Sequence, residues 1–385
     1  MISLSKASHN LEGQKMFQIL STAKELEKSG RDILHFEIGD PDFNTPNNIV
    51  DSTMKSLMNC ETHYAPSSGI DELKEVAREV TLKSRGFKPN KHQILVTAGA
   101  NIQLYYAIVC TVNPGDEVIV PDPGFVSYSS ILKFIGAKIV RVPLKEENKF
   151  RLNPEDVEKV ITPKTRLIIM NSPSNPTGSV MTSKEIQRMF DIALVNDIYL
   201  LSDEIYARMT YDVRHYSPSF YDHCRERTIV VNGFSKSYAM TGFRLGVCTG
   251  PINVIEKMGL LLETTSSCVS PFIQKAGVEA LNGSQVEIMN MVNEFRKRRD
   301  ILVDGLNKLK GITCLKPDGA FYVFPNIKGT GMTSDEFTQH LLQVSNIAVC
   351  PGTAFGEFGE GYIRMTYCNS IDNIKKALKK MEYIL

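Results

Sequence analysis

The sequence predicts an α/β fold: a mostly parallel sheet covered by helices on both faces, followed by a smaller α+β region. Six short apolar runs recur between residues 93 and 233, with helical stretches between several of them. Near-continuous apolar strands of this kind belong to sheets buried on both sides. After about residue 280 the pattern changes to charged helical stretches mixed with isolated strands. At 385 residues the chain is also long enough for two or three domains.

The elements follow in chain order. QKMFQILSTAKELEKS, 14–29, has the apolar spacing of an amphipathic helix and stops before Gly30. ILHFEIGDPDFNTP, 33–46, reads as a short strand ended by a Gly/Pro/Asp turn cluster. IDELKEVAREVTLKSR, 70–85, is a second amphipathic helix. The apolar runs are QILVTAG (93–99), DEVIVP (116–121), AKIVRVP (137–143), TRLIIMN (165–171), IYLLSD (198–203) and RTIVVNG (227–233). A helix is expected over 100–112, and another over 182–196, where Thr182 and Glu185 have the spacing of a capping box. A charged helical region at 284–310 precedes GAFYVFPNI, a helix at 333–345, IAVCPGTAF, YIRMTY and a terminal helix from about 370.

Composition narrows the classes of partner. Lys+Arg is 44 and Asp+Glu 43, a net charge of +1 that gives no general reason to expect nucleic acid or another polyanion. No run approaches 18 apolar residues and MISLSKASHNLEGQKMF has no apolar h-region, so neither a membrane span nor a signal peptide is expected. The eight cysteines form no CxxC pair, and they read as reduced, mostly buried small hydrophobes of a cytoplasmic protein with no metal site. A small or medium-sized ligand in a pocket is the remaining default.

Open α/β sheets gather ligands beyond the carboxyl ends of their strands. TAGAN (97–101), SPSNPTG (172–178), SDEIY (202–206) and NGFSK (232–236) all follow such ends. Each has a plain structural reading: Asn175–Pro176 as a turn pair, Asp203–Glu204 as a helix cap, Gly99 as an easy strand-to-helix turn, and Lys236 as a surface lysine. No G-x-G-x-x-G follows the first strands and no G-x-x-x-x-G-K-[ST] occurs, which argues against a nucleotide. Together the residues supply an amine nucleophile, a strand-end carboxylate, neutral hydrogen-bonders, and an arginine with a helix N-terminus for an anion. An aldehyde cofactor with a ring nitrogen and a phosphate uses all of these, and pyridoxal 5′-phosphate is such a cofactor.

The ordered set GDPDFNTP, YAPSSGIDELKEV, NPGDEVIVPDPGFVSY, NSPSNPTG, SDEIY, NGFSKSYAMTGFRLG and YIRMTY runs over nearly the whole chain. It resembles the class I/II aminotransferases of fold type I, nearest the prokaryotic aspartate aminotransferase subgroup. The resemblance implies a seven-stranded sheet in a large cofactor-binding domain at 46–285. It also implies a small C-terminal domain at 286–385, with 1–45 as an N-terminal arm and part of that small domain. It implies a pyridoxal-phosphate enzyme that passes an amino group from an L-amino acid to a 2-oxo acid in two half-reactions, with glutamate and 2-oxoglutarate as the default couple. The active unit it implies is a homodimer with shared sites.

The resemblance also assigns roles. Lys236 holds the cofactor as a Schiff base and then shuttles a proton, Asp203 faces the ring nitrogen, and Asn175 and Tyr206 bond the phenolic oxygen. Phe125 stacks on the ring and Ile205 packs on its other face. The phosphate sits on the N–H groups of Ala100 and Asn101 with Ser235 and Arg244, and Tyr64 reaches the phosphate of the neighbouring subunit. Arg364 takes the substrate carboxylate, with Gly39 passing close through its backbone and Asn175 beside it.

Two departures stand out. Gly233 occupies a place where many members have a phosphate-touching serine. Asn101 and Met16 stand where aspartate-specific relatives have a lysine and a small hydroxyl residue, although Lys15 could replace the missing charge. A neutral or aromatic amino acid, or a specialised biosynthetic amine, is therefore expected ahead of aspartate. The alternatives are a carbon–sulfur lyase, racemase or decarboxylase using the same cofactor, or a non-catalytic sensor, for which a preceding DNA-binding domain would be expected and no room is seen.

Overall fold

The computed structural model describes every residue except 1, 10 and 12, and residue 6 by its backbone alone. Strand β1, Leu34–His35, comes first and lies apart from the main sheet. The main sheet contains β2 (Ile94–Thr97), β3 (Glu117–Asp122), β4 (Lys138–Pro143), β5 (Thr165–Asn171), β6 (Tyr199–Asp203), β7 (Thr228–Gly233) and β8 (Gly246–Thr249). Their spatial order is β2-β8-β7-β6-β5-β3-β4. The six expected strands are all present.

The seventh, β8, went unread because GVCT is short and opens on glycine. It alone runs antiparallel to its neighbours, pairing Gly246 with Thr97 on one side and Gly233 on the other. A Cβ on Gly246 would lie 2.3 Å from Gln103 Nε2 and 3.0 Å from the Asn232 carbonyl oxygen, so only glycine fits there.

The strand period of two divides the core. Val118, Val120, Leu167, Ile169 and Leu201 point into one buried cluster, while Ile119, Ile168, Met170 and Leu200 point into another on the opposite face. Burying each such side chain stabilises the fold by about 1.5–3 kcal/mol relative to exposure. Helices cover both faces. The Ser183–Val195 helix has the expected Thr182–Glu185 capping box, and the Asp71–Arg85 helix ends at left-handed Gly86, φ 79°.

The C-terminal region contains β9 (Tyr322–Val323), β10 (Ile347–Ala348), β11 (Cys350–Pro351) and β12 (Ile363–Thr366). Strands β11, β12 and β9 form an antiparallel sheet beside the helices Val286–Leu306, Ser334–Ser345 and Ile371–Ile384. Strand β1 pairs with β10 in parallel, and Leu34 and Phe36 join the same core as Phe321, Phe337 and Ile374. All eight cysteines are free thiols; Cys224, Cys248, Cys314 and Cys350 are buried and Cys60 is exposed.

Candidate active site

Because β8 alone is reversed, the carboxyl ends of β2, β7, β6, β5 and β3 share one sheet edge with the start of β8. Thr97, Gly233, Asp203, Asn171, Asp122 and Gly246 mark that edge. The connections leaving it enclose a cavity of about 300 Å³.

Lys236 follows β7 by three residues, and its Nζ donates to the Gly39 carbonyl at 2.7 Å. Burial pushes its proton affinity below the usual lysine value, and the positive charges of Arg364 and Arg244 add to the effect against Cys368 and Asp40. A lysine so placed is a nucleophile once it gives up its proton. Asp203 ends β6. Its Oδ2 accepts from the Tyr128 phenol at 2.7 Å and its Oδ1 from the Ile205 amide at 3.2 Å. Burial raises its pKa to about 6, against those two hydrogen bonds, and no cation among the described residues is paired with it.

One end of the cavity lies at the start of the Ala100–Thr111 helix, whose first N–H groups have no intrahelical acceptor. Gly99, φ 89°, opens that turn, and a Cβ there would lie 2.5 Å from Nη2 of Arg244. Arg244 begins the approach to β8, donating to the Thr241 carbonyl at 2.9 Å and to Ser235 Oγ at 3.5 Å. Backbone donors, a hydroxyl and a guanidinium therefore converge.

At the other end Arg364, on β12, is buried with 1% exposure. It donates to Asn175 Oδ1 at 3.1 Å and to the Glu37 carbonyl, and lies over the rings of Tyr322 and Phe355 at 4.5 and 4.7 Å. Its Nε has no hydrogen-bond partner. Tyr206 and Tyr322 join hydroxyls at 2.9 Å. A Cβ at Gly39 would lie 1.9 Å from the Tyr322 hydroxyl, which explains the glycine in this passing strand of backbone.

Twelve of the thirteen site residues expected from sequence line this one cavity: Gly39, Ala100, Asn101, Phe125, Asn175, Asp203, Ile205, Tyr206, Ser235, Lys236, Arg244 and Arg364. Tyr64 lies outside it, 89% exposed. Met16 and Asn101 both face the cavity. Lys15 does not: its Nζ binds Asp335 at 3.0 Å and Thr353 at 3.4 Å. Consecutive helix positions point about 100° apart, so Met16 turned inward sends Lys15 away. Its expected availability as a distal charge is corrected by that ion pair. A Cβ at Gly233 would meet Ile205 Cδ1 at 3.0 Å and the Leu245 carbonyl at 3.2 Å, so a side chain there requires these neighbours to shift by a few tenths of an ångström.

Sequence reading missed Tyr128, Tyr322 and Phe355. Tyr128 carried one signal, its position one helical turn after Phe125; Tyr322, in the two-residue strand β9, and Phe355, at the end of a short 3-10 helix, have no distinguishing spacing.

These residues fit pyridoxal phosphate on structural grounds. An amine with lowered proton affinity suits an aldehyde, and a buried carboxyl without a cation suits a protonated ring nitrogen. The open helix start with Arg244 suits a phosphate, and the unpartnered Nε of Arg364 leaves a donor for a carboxylate.

Comparison with known proteins agrees with this chemistry. A family model described as aminotransferase class I and II matches residues 31–381. The aspartate aminotransferase of Pyrococcus abyssi is 41% identical, over 97% of this chain and 95% of its own length. The aromatic-amino-acid aminotransferase 2 of Thermococcus litoralis is 41% identical over 92% of each chain. Among solved structures, the aspartate aminotransferase from Thermus thermophilus with maleate superposes with a TM-score of 0.96 at 33% identity, covering 100% of both chains. The aromatic aminotransferase from Pyrococcus horikoshii OT3 gives 0.90 at 39% identity, covering 95% of this chain and 98% of that one.

Proposed function

The chain belongs to the class I and II aminotransferases, and from that premise we propose that its preferred amino donor has an apolar or aromatic side chain. One observation carries this reading. Among the described residues the only cations lining the cavity are Lys236, Arg244 and Arg364, and each has a task other than holding a distal carboxylate. The rest of the wall includes Met16, Phe17, Ile38 and Leu104, with the acidic Asp40 among them. A second carboxylate entering this space would be left without a partner, at a cost of several kcal/mol.

Pyridoxal 5′-phosphate, when bound, supplies an aldehyde carbon and a ring that accepts electrons from a bond broken at the substrate α-carbon. In the proposed assignment Lys236 would hold that aldehyde through its neutral amine, and the same amine would carry the proton taken from the substrate α-carbon. Asp203 holds the ring-nitrogen proton through a charge-assisted hydrogen bond, and Tyr128 keeps Asp203 anionic and oriented. Asn175 and Tyr206 would donate to the phenolic oxygen, and Phe125 and Ile205 would hold the ring between them. Ala100, Asn101, Ser235 and Arg244 hold the phosphate. Arg364 grips the substrate α-carboxylate beside Gly39.

Residues 46–285 form the proposed cofactor-binding body and 286–385, with part of 1–45, the smaller domain beside it. The proposed active unit is a homodimer in the cytoplasm. The exposure of Tyr64 supports the first point, since a side chain outside its own cavity is free to reach a partner's. Among the described residues no helix is long and apolar enough to cross a membrane.

A dicarboxylate donor is the second reading, favoured by the name of the Pyrococcus abyssi relative. A matrix of amino donors against 2-oxo acids, read as kcat/KM on the cofactor-loaded enzyme, separates the two. Phenylalanine, tyrosine or leucine exceeding aspartate at least tenfold supports the first; aspartate exceeding them overturns it.

A further inference from the structure

Asp203 has a neighbour with a different environment. Ser202 Oγ donates to Glu204 at 3.0 Å, so these two side chains share the side of the chain opposite Asp203. On that side lies a second cavity of about 950 Å³. Its wall carries Lys83, Arg85, Arg208 and Arg214 and no carboxylate.

The acids around this cavity are committed elsewhere. Glu204 is fully buried, accepting from Arg85 and lying 3.1 Å from His215 Nε2. Asp212 pairs with Arg299 at 3.0 Å. The outer cations have no acid of their own. Arg208 donates to the neutral Gln285 at 2.8 Å, Arg214 lies over the Tyr216 ring at 5.7 Å, and Lys83 has no polar partner among the described residues. Deeper in, Arg85 Nε and His215 Nδ1 are sealed from solvent without hydrogen-bond partners. Apolar surface stands beside this charge: Phe220 is 60% exposed, Val213 40% and Tyr216 38%.

Like charges gathered around one hollow repel each other, and an anion placed among them relieves that repulsion while gaining direct contacts. The exposed aromatic wall gains in turn from covering by an apolar group. The concavity suits a small molecule, and a net charge of +1 gives no general reason to expect a polyanion.

We propose that this hollow is a second ligand site, separate from the active site, for a small amphiphilic anion: one carboxylate or phosphate on an aromatic or branched apolar body. Lys83 and Arg214 bind the anionic group, and Tyr216 and Phe220 cover the apolar body. The assignment does not depend on which amino donor the active site prefers.

The test uses the cofactor-loaded protein after borohydride reduction, which locks the active site. Calorimetric titration with phenyl phosphate and with phenylacetate distinguishes phosphate from carboxylate ligands, and benzyl alcohol serves as the uncharged control. Saturable binding of one molecule per chain is expected for at least one anion, at least tenfold tighter than for benzyl alcohol. The Lys83→Gln/Arg214→Gln double variant weakens it at least tenfold while keeping transamination within twofold of the parent, and Arg364→Leu leaves it within twofold. Absence of saturable anion binding, its retention in the double variant, or its loss in Arg364→Leu overturns the proposal.

Discussion

Tyr128 donates its phenolic hydrogen to Oδ2 of Asp203 across 2.7 Å, with both side chains buried. The Val126–Ile135 helix makes this contact possible: it starts directly after Phe125 and brings Tyr128 round one turn later, ring edge to ring face at 5.7 Å. One helix start therefore supplies both a wall of the cavity and a support for its carboxylate.

Replacing Tyr128 by phenylalanine removes a hydrogen bond to a charged group, typically about 1.5–3 kcal/mol. The Asp203 pKa then rises above its value of about 6. Cofactor affinity should fall several-fold at pH 7 and approach that of the parent at pH 9, where Asp203 ionises in either protein. Absorbance titration of the cofactor-free proteins at the two pH values measures this; an equal loss at both would contradict the role.

The parent protein should itself show a pH-dependent affinity. Burial raises Asp203 above its ordinary value, to about 6, so the carboxylate form, which in the proposed assignment would meet a protonated ring nitrogen, dominates above pH 6 and is lost below it. Affinity should drop about tenfold from pH 7 to pH 5, one decade per unit below the pKa. Asp203→Asn should bind weakly and without that step. A parent curve flat across this range would refute the assignment.

Arg364→Lys keeps the charge but loses the planar fork that can hold two carboxylate oxygens together. Truncating a buried charge-pair partner costs on the order of 2–5 kcal/mol, and a lysine here should reduce kcat/KM for amino acids about a hundredfold. The cofactor's own spectrum and affinity should stay near those of the parent. A loss of cofactor affinity with unchanged KM would place Arg364 elsewhere in the mechanism.

His35 offers a stability test away from the cavity. Its Nδ1 lies 2.7 Å from the fully buried Glu37 and its Nε2 3.1 Å from Glu27 on the Lys15–Lys28 helix. The bond to Glu37 raises its pKa to about 9. A histidine whose folded pKa exceeds its unfolded value stabilises fully below about pH 6.5, and the gain is lost as pH rises through 9. With part of the ring exposed, about 1 kcal/mol is expected. His35→Gln should be less stable by that amount at pH 6 in urea unfolding, and nearly equal to the parent at pH 10.

The sheet and the polar site were legible for one physical reason. Apolar runs reveal strands, and the residues immediately beyond their ends are where this architecture places chemistry, so Lys236, Asp203 and Asn175 could be located from spacing. Strand β8 escaped because four residues beginning with glycine carry little periodicity. Tyr322 and Phe355 escaped because they meet Arg364 through contacts between distant segments, which no local pattern encodes. Lys15 misled because charge was considered without the direction in which a helix presents it.

The two ends of the β7–β8 connection carry different tasks, Lys236 near one and Arg244 near the other, and backbone pairing of Gly233 with Gly246 fixes where that connection starts and stops. Its residue count thus acts as a ruler between the proposed nucleophile and the proposed anion clamp. Changes of identity within 237–243 leave the ruler's length alone, whereas an insertion or deletion would shift one mark against the other.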